Sequence, residues 1–359
     1  MNMFIKRILT QRLPLVLIIL FILVSMPVVL VNLFVDWLYF YDPYSFILDA
    51  SYGVFDEKYH RMVATAFHVL LRAVISVSKS SDLLMIGKLY GSFLFGMMLV
   101  VLFLAMLFTT KSIFLSLVIA LLVATDPNIS LFGIMPYKEA FVTLFYVLSF
   151  IFIFVANELS KRRTICLFIS LFFFMIAVDT RPESLAFTSA IFFLLIISSL
   201  NPSFRHMIKF RYLLLSALAL NCIALGLLYI GQTILFGTTF PYFSNPGYVQ
   251  RLLNSLCNLQ LYEEVLRSLF DDLIISQRYL GSSYIFNFLI VVGSLGSVIL
   301  KLRRNKMVQD IFSLMTPITI IHGVALTYVK FPAPRYMFLP KSLIYLSFGM
   351  LCKWLISNV

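Results

Sequence analysis

Residues 83–109 read LLMIGKLYGSFLFGMMLVVLFLAMLFT, and this run decides the fold. It contains one charged side chain, Lys88, and it is longer than the roughly 20 apolar residues that a helix needs to cross a bilayer. The whole chain is similar, because 61% of its 359 residues are hydrophobic and 12% are charged. No soluble core of this size could bury so much apolar surface. The composition therefore excludes soluble, disordered, fibrous and nucleic-acid-binding proteins.

Comparable apolar runs recur along the chain and predict an all-α, polytopic transmembrane bundle. We predict ten crossings, at residues 13–35, 83–109, 112–135, 139–157, 164–178, 184–200, 212–236, 284–300, 311–329 and 337–356. Asp126-Pro127 interrupts the third crossing. Basic residues precede the first run, at Lys6, Arg7 and Arg12, and by the positive-inside rule they hold the N-terminus in the cytoplasm. An even number of crossings then returns the C-terminus to the same side.

The distribution of charge supports this topology. The net charge is +12, and the predicted cytoplasmic segments contain 15 of the 28 basic residues but only two of the 16 acidic ones, Glu158 and Asp310. A basic surface for an acidic partner is therefore not required to explain the net charge. We expect a multi-pass protein of the plasma membrane, in contact with membrane lipids and with no nucleic-acid partner.

Two predicted external segments are long and amphipathic, at residues 36–82 and 237–283. The first contains the acidic pair Asp56-Glu57 and then a stretch with the spacing of a surface helix. Its apolar stripe comprises Met62, Ala66, Val69, Ala73 and Val77. Both segments could cover a cavity at the external ends of the crossings, or they could simply pack on those crossings.

The sequence lacks the motifs that are typical of several kinds of cofactor and metal sites. It contains no Cys-x-x-Cys pair, its four histidines are widely separated, and no Gly-rich phosphate loop or dinucleotide motif occurs. We therefore predict no cofactor and no metal site built from Cys and His. Asp56-Glu57 or Asp271-Asp272 could hold a divalent cation, so metal dependence is left open.

Three short external turns, at residues 135–139, 179–183 and 330–336, concentrate charged residues. The crossings that flank the second turn are short, so its charges are expected below the lipid headgroups, where they are costly unless they face a cavity or form an ion pair. For the other two turns, headgroup contact by an interfacial cation is the simpler explanation. The candidate functional residues in these turns are Lys138, Glu139, Asp179, Arg181, Glu183, Arg335 and Tyr336.

Carboxylates and cations on one side of a membrane suit a group transferase. A carboxylate can act as general base on an acceptor, while Lys or Arg stabilises the negative charge of a departing phosphate. Lys138, Arg181 and Arg335 are the predicted phosphate-binding residues, and Glu139, Asp179, Glu183 and Tyr336 are predicted to support them. A sugar on a polyprenyl phosphate is the expected donor, and a single displacement would invert its anomeric centre.

At these residues the sequence resembles the GT-C class of integral-membrane glycosyltransferases, and within it the protein O-mannosyltransferases and aminoarabinose transferases. The resemblance extends from the first predicted crossing to the last. The segments that carry it are Phe55-Asp56-Glu57-Lys58-Tyr59-His60, Leu89-Tyr90-Gly91-Ser92-Phe93-Leu94-Phe95-Gly96, Pro136-Tyr137-Lys138-Glu139, Thr180-Arg181-Pro182-Glu183-Ser184 and Pro334-Arg335-Tyr336-Met337-Phe338-Leu339-Pro340.

The resemblance implies an external active site whose base lies in the first loop. Asp56 is the first choice for that base, with Glu57 sharing the role or orienting the acceptor; Asp42 and Asp49 are alternatives in the same loop. It also implies a GT-C-like catalytic membrane module in residues 1–236, followed in residues 237–359 by the second external loop and the C-terminal transmembrane helices. A glycan or a lipid is the expected acceptor.

Two alternative functions remain open from the sequence. An O-antigen or capsule polymerase or ligase would use arginines in the second long loop, where Arg251, Arg267 and Arg278 occur. A lipid-linked glycan flippase or other transporter would use polar residues inside crossings, for which Lys88, Asp126 and His322 are the candidates.

Overall fold

The computed structural model describes residues 66–78, 81–158, 162–180 and 338–358, together with isolated positions between 15 and 51 and between 215 and 230. The described part of the chain is almost entirely helical and contains no strand, in agreement with the all-α prediction. Its helices are α1 (Ala66–Ser78), α2 (Leu83–Thr110), α3 (Ile113–Thr125), α4 (Pro127–Ile134), α5 (Lys138–Glu158), α6 (Arg163–Thr180) and α7 (Phe338–Asn358).

Helix α2 coincides with the apolar run at residues 83–109, and local capping sets both of its ends. The Asp82 side chain accepts a hydrogen bond from the Met85 backbone N–H at 2.9 Å, as an N-cap residue does. At the other end Lys111 adopts a left-handed conformation and donates its N–H to the Leu107 carbonyl at 2.9 Å. Ser112 then caps α3 through the Leu115 N–H, so α3 turns back along α2.

The predicted third crossing is two helices, because the chain leaves the helical conformation at Asp126. Proline at position 127 has no N–H to donate, which suits the first position of a new helix. The Asp126 carboxylate accepts the Ile129 N–H at 3.1 Å and thereby caps α4, while the Asp126 carbonyl accepts the Ser130 N–H. Residues 112–135 therefore form α3 and α4 with a break at the Asp-Pro pair noted in the sequence.

Helices α5 and α6 form an antiparallel pair joined by residues 159–162. Ser149 and Ser170 exchange hydrogen bonds across the pair, each hydroxyl donating to the other residue's carbonyl at 2.8 Å. Phe173 of α6 packs against Phe145 and Phe152 of α5, with ring centroids 5.6 Å apart in both contacts. The antiparallel arrangement brings the beginning of α5 and the end of α6 to the same end of the bundle.

Helix α2 is central to the described bundle and packs against α1, α3, α4, α5 and α7. Helix α7 crosses α2 and α3 where Gly349 lies against Met106 and Ile119, and further along Tyr345 reaches Asp126 at the beginning of α4. Tyr345 contacts Asp126, whereas the later residue Gly349 contacts the earlier residue Ile119, so α7 is antiparallel to α3 and α4. The beginning of α7 therefore lies at the same end as the end of α4 and the beginning of α5.

Two of the described helices, α2 and α6, are long and apolar enough to cross a membrane. The helices predicted from residues 139–157 and 337–356 are also present, as α5 and α7. The predicted crossings at 13–35, 184–200, 212–236, 284–300 and 311–329, the second external segment at 237–283, and the domain boundary between residues 236 and 237 lie outside the continuously described residues.

Helix α1 confirms the predicted helix after the acidic pair, but the side that contacts the bundle differs from the predicted stripe. Phe67, His68 and Leu71 are the buried residues, whereas Val69 and Val77 are 53% and 81% exposed. Val69, Ala73 and Val77 of the predicted stripe thus face away from the other described helices, whereas Ala66 is partly buried against them. A helix with a second apolar face of this kind suits a membrane surface better than a purely aqueous one.

Candidate functional site

The chain between α4 and α5 lies directly against the first turns of α2. A Cβ atom on Gly91 would overlap the carbonyl oxygen of Ile134 and the backbone of Met135, so only glycine permits this approach. The Tyr137 N–H donates to the Met135 carbonyl at 2.7 Å and closes the turn, and α5 begins at the next residue, Lys138. The glycine of the Leu-Tyr-Gly-Ser segment therefore sets the position of Lys138.

Aromatic packing attaches the beginning of α1 to the same place. Phe67 makes edge-to-face contacts with Tyr90 of α2 and Phe141 of α5, with ring centroids 5.5 and 5.6 Å apart. The Tyr90 hydroxyl also donates to the Phe67 carbonyl at 3.4 Å. These contacts fix the first turn of α1 across α2 and α5.

His68 lies beside the beginning of α5 and is almost completely buried. Burial lowers the pKa of His68 from its ordinary value of 6.5 to about 3, and the positive charge of Lys138 acts in the same direction. The imidazole is therefore neutral at physiological pH. Because the His68 imidazole is neutral, the half-buried Lys138 has a neutral polar group near it and not a second cation.

Asp179 joins the end of α6 to the beginning of α1. Its carboxylate accepts a hydrogen bond from the Ala66 backbone N–H at 2.7 Å. An acidic side chain in the last turn of a helix is disfavoured by that helix's dipole, but the N-terminus of α1 supplies the opposite partial charge. The two residues are 113 positions apart in the sequence. The positive end of the α1 dipole thus offsets the repulsion between the Asp179 carboxylate and the negative end of the α6 dipole.

Ala66, His68, Lys138 and Asp179 thus meet at one end of the bundle, and we call this set the α1 cluster. Two of its members, Lys138 and Asp179, were predicted from the sequence as site residues. Glu139, also predicted, is buried in the first turn of α5, where a carboxylate is favoured by the helix dipole.

The structure corrects the local setting of these residues. Lys138 and Asp179 were expected in turns and Glu139 where a turn meets the fourth crossing, but Lys138 and Glu139 belong to the first turn of α5 and Asp179 to the last turn of α6. Helix ends hold a side chain more firmly than a free turn does, because backbone hydrogen bonds define their geometry. The remaining predicted site residues, Asp56, Glu57, Arg181, Glu183, Arg335 and Tyr336, lie outside the described residues.

A second buried polar contact was not predicted. The Tyr345 hydroxyl donates to the Asp126 carboxylate at 2.8 Å, and both side chains are buried. Asp126 was a candidate for the transporter hypothesis because it is an ionisable residue inside a predicted crossing. Its two carboxylate oxygens accept from Tyr345 and from the Ile129 N–H, which gives it a structural role at the helix break. The Asp126-Pro127 pair in the sequence indicated an interrupted helix. Nothing in the sequence around Tyr345 indicated that its hydroxyl would contact Asp126.

Within the described residues no group of three or more His, Cys, Asp or Glu side chains is arranged to hold a metal ion. The carboxylate pairs considered for a divalent cation, Asp56-Glu57 and Asp271-Asp272, fall outside those residues. Among the described residues Cys166, Cys222 and Cys352 are free thiols, of which Cys166 is buried and Cys222 is exposed.

Comparison with known proteins adds no family. No family model matches this chain, and no curated protein is similar to it at a significant level.

Proposed function

We propose that this chain is an integral-membrane glycosyltransferase of GT-C type. It transfers a sugar from a polyprenyl-phosphate donor to a glycan or lipid acceptor on the external face of the plasma membrane, with inversion. In this proposal the chain crosses the membrane about ten times and both termini are cytoplasmic.

One observation carries the proposal, namely the convergence of separate sequence segments in the α1 cluster. The helix after the acidic pair, the Pro-Tyr-Lys-Glu segment and the segment that contains Asp179 were each predicted at an external end of the bundle. The hydrogen bond of Ala66 with Asp179 and the ring contact of Phe67 with Phe141 join the three segments, and the positive charge of Lys138 acts on His68. A scaffold that only packed helices would not need titratable groups from three segments at one place.

The proposed reaction uses the acidic pair as its base. Asp56 and Glu57 precede Ala66 by ten and nine positions, so even an extended chain could carry the pair no farther than about 35 Å from the beginning of α1. Asp56 takes the proton of the acceptor hydroxyl, whose oxygen attacks the anomeric carbon of the donor. The bond from that carbon to the phosphate oxygen breaks, and its electron pair remains on the phosphate.

The cations stabilise the departing phosphate. Negative charge on its oxygen increases toward the transition state, so Lys138, Arg181 and Arg335 contribute more there than in the ground state. The neutral state of His68 and the acids Glu139 and Asp179 keep the local charge balanced without neutralising the phosphate site.

The experiment that tests this proposal uses the purified full chain in lipid nanodiscs with a panel of polyprenyl-phosphate sugars. We expect transfer by the native chain and a loss of at least about 100-fold in kcat for Asp56→Asn, because general-base catalysis supplies a factor of that size. Lys138→Ala is expected to lower kcat about tenfold and also to raise the KM for the donor, because its charge contributes more in the transition state than in the ground state.

Matched controls separate chemistry from folding. Asp82→Asn changes an exposed acid of the same loop and preserves the cap of α2, so transfer should be unchanged. Lys353→Ala removes a lysine of α7 near its opposite end and should leave the donor KM unchanged. If the native chain used no monophosphate donor but extended or moved pyrophosphate-linked glycans, a polymerase, ligase or flippase would replace this proposal.

A further inference from the structure

Helix α1 has a second apolar face, on the side opposite to the one that packs on the bundle. Its buried residues Phe67, His68 and Leu71 lie together on one side of the helix. At 100° per residue, four exposed apolar side chains share an arc of about 140° on the other side, namely Val69, Leu70, Val74 and Val77. Their exposed fractions range from 41% to 81%. A helix that faced only water would have polar residues in this arc.

The first turn of α1 lies at a definite level along the two helices that are long and apolar enough to cross a membrane, α2 and α6. Tyr90, which contacts that turn, precedes the end of α2 by 20 positions, or about 30 Å of helix. Asp179, which accepts the Ala66 N–H, follows the beginning of α6 by 16 positions, or about 24 Å. The hydrocarbon layer of a bilayer is about 30 Å thick. A membrane that α2 and α6 cross would therefore have one boundary of this layer at α1.

Helix α1 is attached to the exposed side of α6. Phe168, Phe172 and Asp179 share one side of α6, because residues four, seven and eleven positions apart recur on the same side of a helix. Ile165, one turn earlier on that side, and the two phenylalanines are between 56% and 60% exposed. The Asp179 carboxylate binds the beginning of α1 at the end of this exposed stripe. The uncovered apolar faces of the two helices therefore adjoin.

We propose that α1 lies in the plane of the membrane and that its exposed apolar face, together with the exposed stripe of α6, contacts phospholipid. The valine and leucine side chains enter the boundary of the acyl chains. Arg72 is exposed and lies with Ser76 in the narrow sector between the buried side and the apolar face, from which its long side chain reaches the lipid phosphates. This arrangement requires a membrane and is independent of the reaction proposed above.

Spin labels identify what covers this face, because oxygen concentrates in lipid and a nickel chelate stays in water. Val77→Cys, Val74→Cys and Ser76→Cys are each labelled in the full chain, with its four native cysteines replaced, in phosphatidylcholine nanodiscs. All three positions are exposed, so the label does not disturb packing. We expect the ratio of oxygen to chelate accessibility at Val77 and Val74 to exceed that at Ser76 by about fivefold, because only the valines face acyl chains.

Phe172→Cys provides the reference for lipid contact on a crossing helix, and the label at Val77 should give a similar ratio. A ratio at Val77 equal to that at Ser76 would show that water covers the face. Low accessibility to both reagents would show that protein covers it, either another segment of this chain or a second copy. Each of these two results would overturn the inference.

A charge reversal tests the contact of Arg72 with lipid phosphate. In nanodiscs that also contain phosphatidylglycerol, Arg72→Glu should lower the ratio at Val77 about twofold, because anionic headgroups repel the new carboxylate. Arg72→Lys keeps the charge and should leave the ratio unchanged. An unchanged ratio in Arg72→Glu would overturn the assignment of Arg72 to the lipid phosphates.

Discussion

The α5–α6 pair and the α1 cluster are both held by polar interactions, but those of the pair are buried and neutral, whereas those of the cluster are partly buried and involve ionisable groups. In the pair, Ser149 and Ser170 satisfy each other's hydroxyl groups with neutral hydrogen bonds. In the cluster, the contacts involve a histidine, a lysine and a carboxylate, all of which can carry charge. Neutral hydroxyl pairs are sufficient to dock two helices in an apolar setting, and they cost less to bury than ionisable groups.

This difference indicates which of the two regions is the better candidate for a functional site. Ionisable groups retained in a buried setting are typical of sites that bind or react with charged ligands, whereas helix docking does not require them. Three predictions follow this contrast between the cluster and the pair, with Ser149→Ala as the common reference for a loss of ordinary packing.

The largest effect is expected from Gly91→Ala. The added Cβ would overlap the Ile134 carbonyl, and backbone atoms of a closed turn cannot move aside as a side chain can. We expect the free energy of unfolding in detergent micelles to fall by about 2–3 kcal/mol, the upper range for overpacking. Gly226→Ala, at an exposed helical position with no neighbour within 4 Å among the described residues, should be neutral or slightly stabilising. Equal effects of the two changes would contradict the close approach of the turn to α2.

The second effect is a pH dependence confined to the cluster. The pKa of His68 is about 3 in the folded chain and 6.5 in the unfolded one, so the unfolded state binds the proton more tightly. Stability contributed by the neutral imidazole is complete above pH 6.5 and declines as the pH falls toward 3, by up to about 1.4 kcal/mol per unit. The free energy of unfolding measured at pH 6.5 and at pH 5 should therefore differ by about 1.7 kcal/mol because of this residue.

The control for that measurement is His68→Leu, which cannot titrate and should flatten the pH dependence by the same amount. Ser149→Ala should lower stability equally at both pH values, because it leaves the histidine in place. A His68→Leu protein that retained the full pH dependence would show that another group titrates.

The smallest of the three effects is expected at Asp179. Asp179→Ala removes the acceptor of the Ala66 N–H and should cost about 1–2 kcal/mol of unfolding free energy, as the loss of a charged cap does. Asp179→Asn keeps an acceptor oxygen but loses the charge, so it should cost less than the alanine variant. Identical losses for the two variants would indicate that charge, and not the hydrogen bond, holds α1 in place.

The sequence predicted helices where long apolar runs occur, and the structure has α2, α5, α6 and α7 at four of the predicted crossings. The predicted third crossing is two helices, and the caps Asp82 and Ser112 were identified only in the structure. The candidate site was predicted in part, because charges at the ends of crossings are conspicuous against an apolar background. His68 was missed, since a histidine on an amphipathic helix has no local sign of being buried.

The sequence alone was sufficient for the helical class, for the approximate places of the described helices and for the polar residues that are costly enough to need an explanation. These follow from interactions over a few positions, such as caps, prolines and apolar periodicity. Only the tertiary structure decided the partners: Asp179 with Ala66 across 113 positions, and Tyr345 with Asp126 across 219. A buried polar group must find a partner, but which partner it finds depends on how the helices cross.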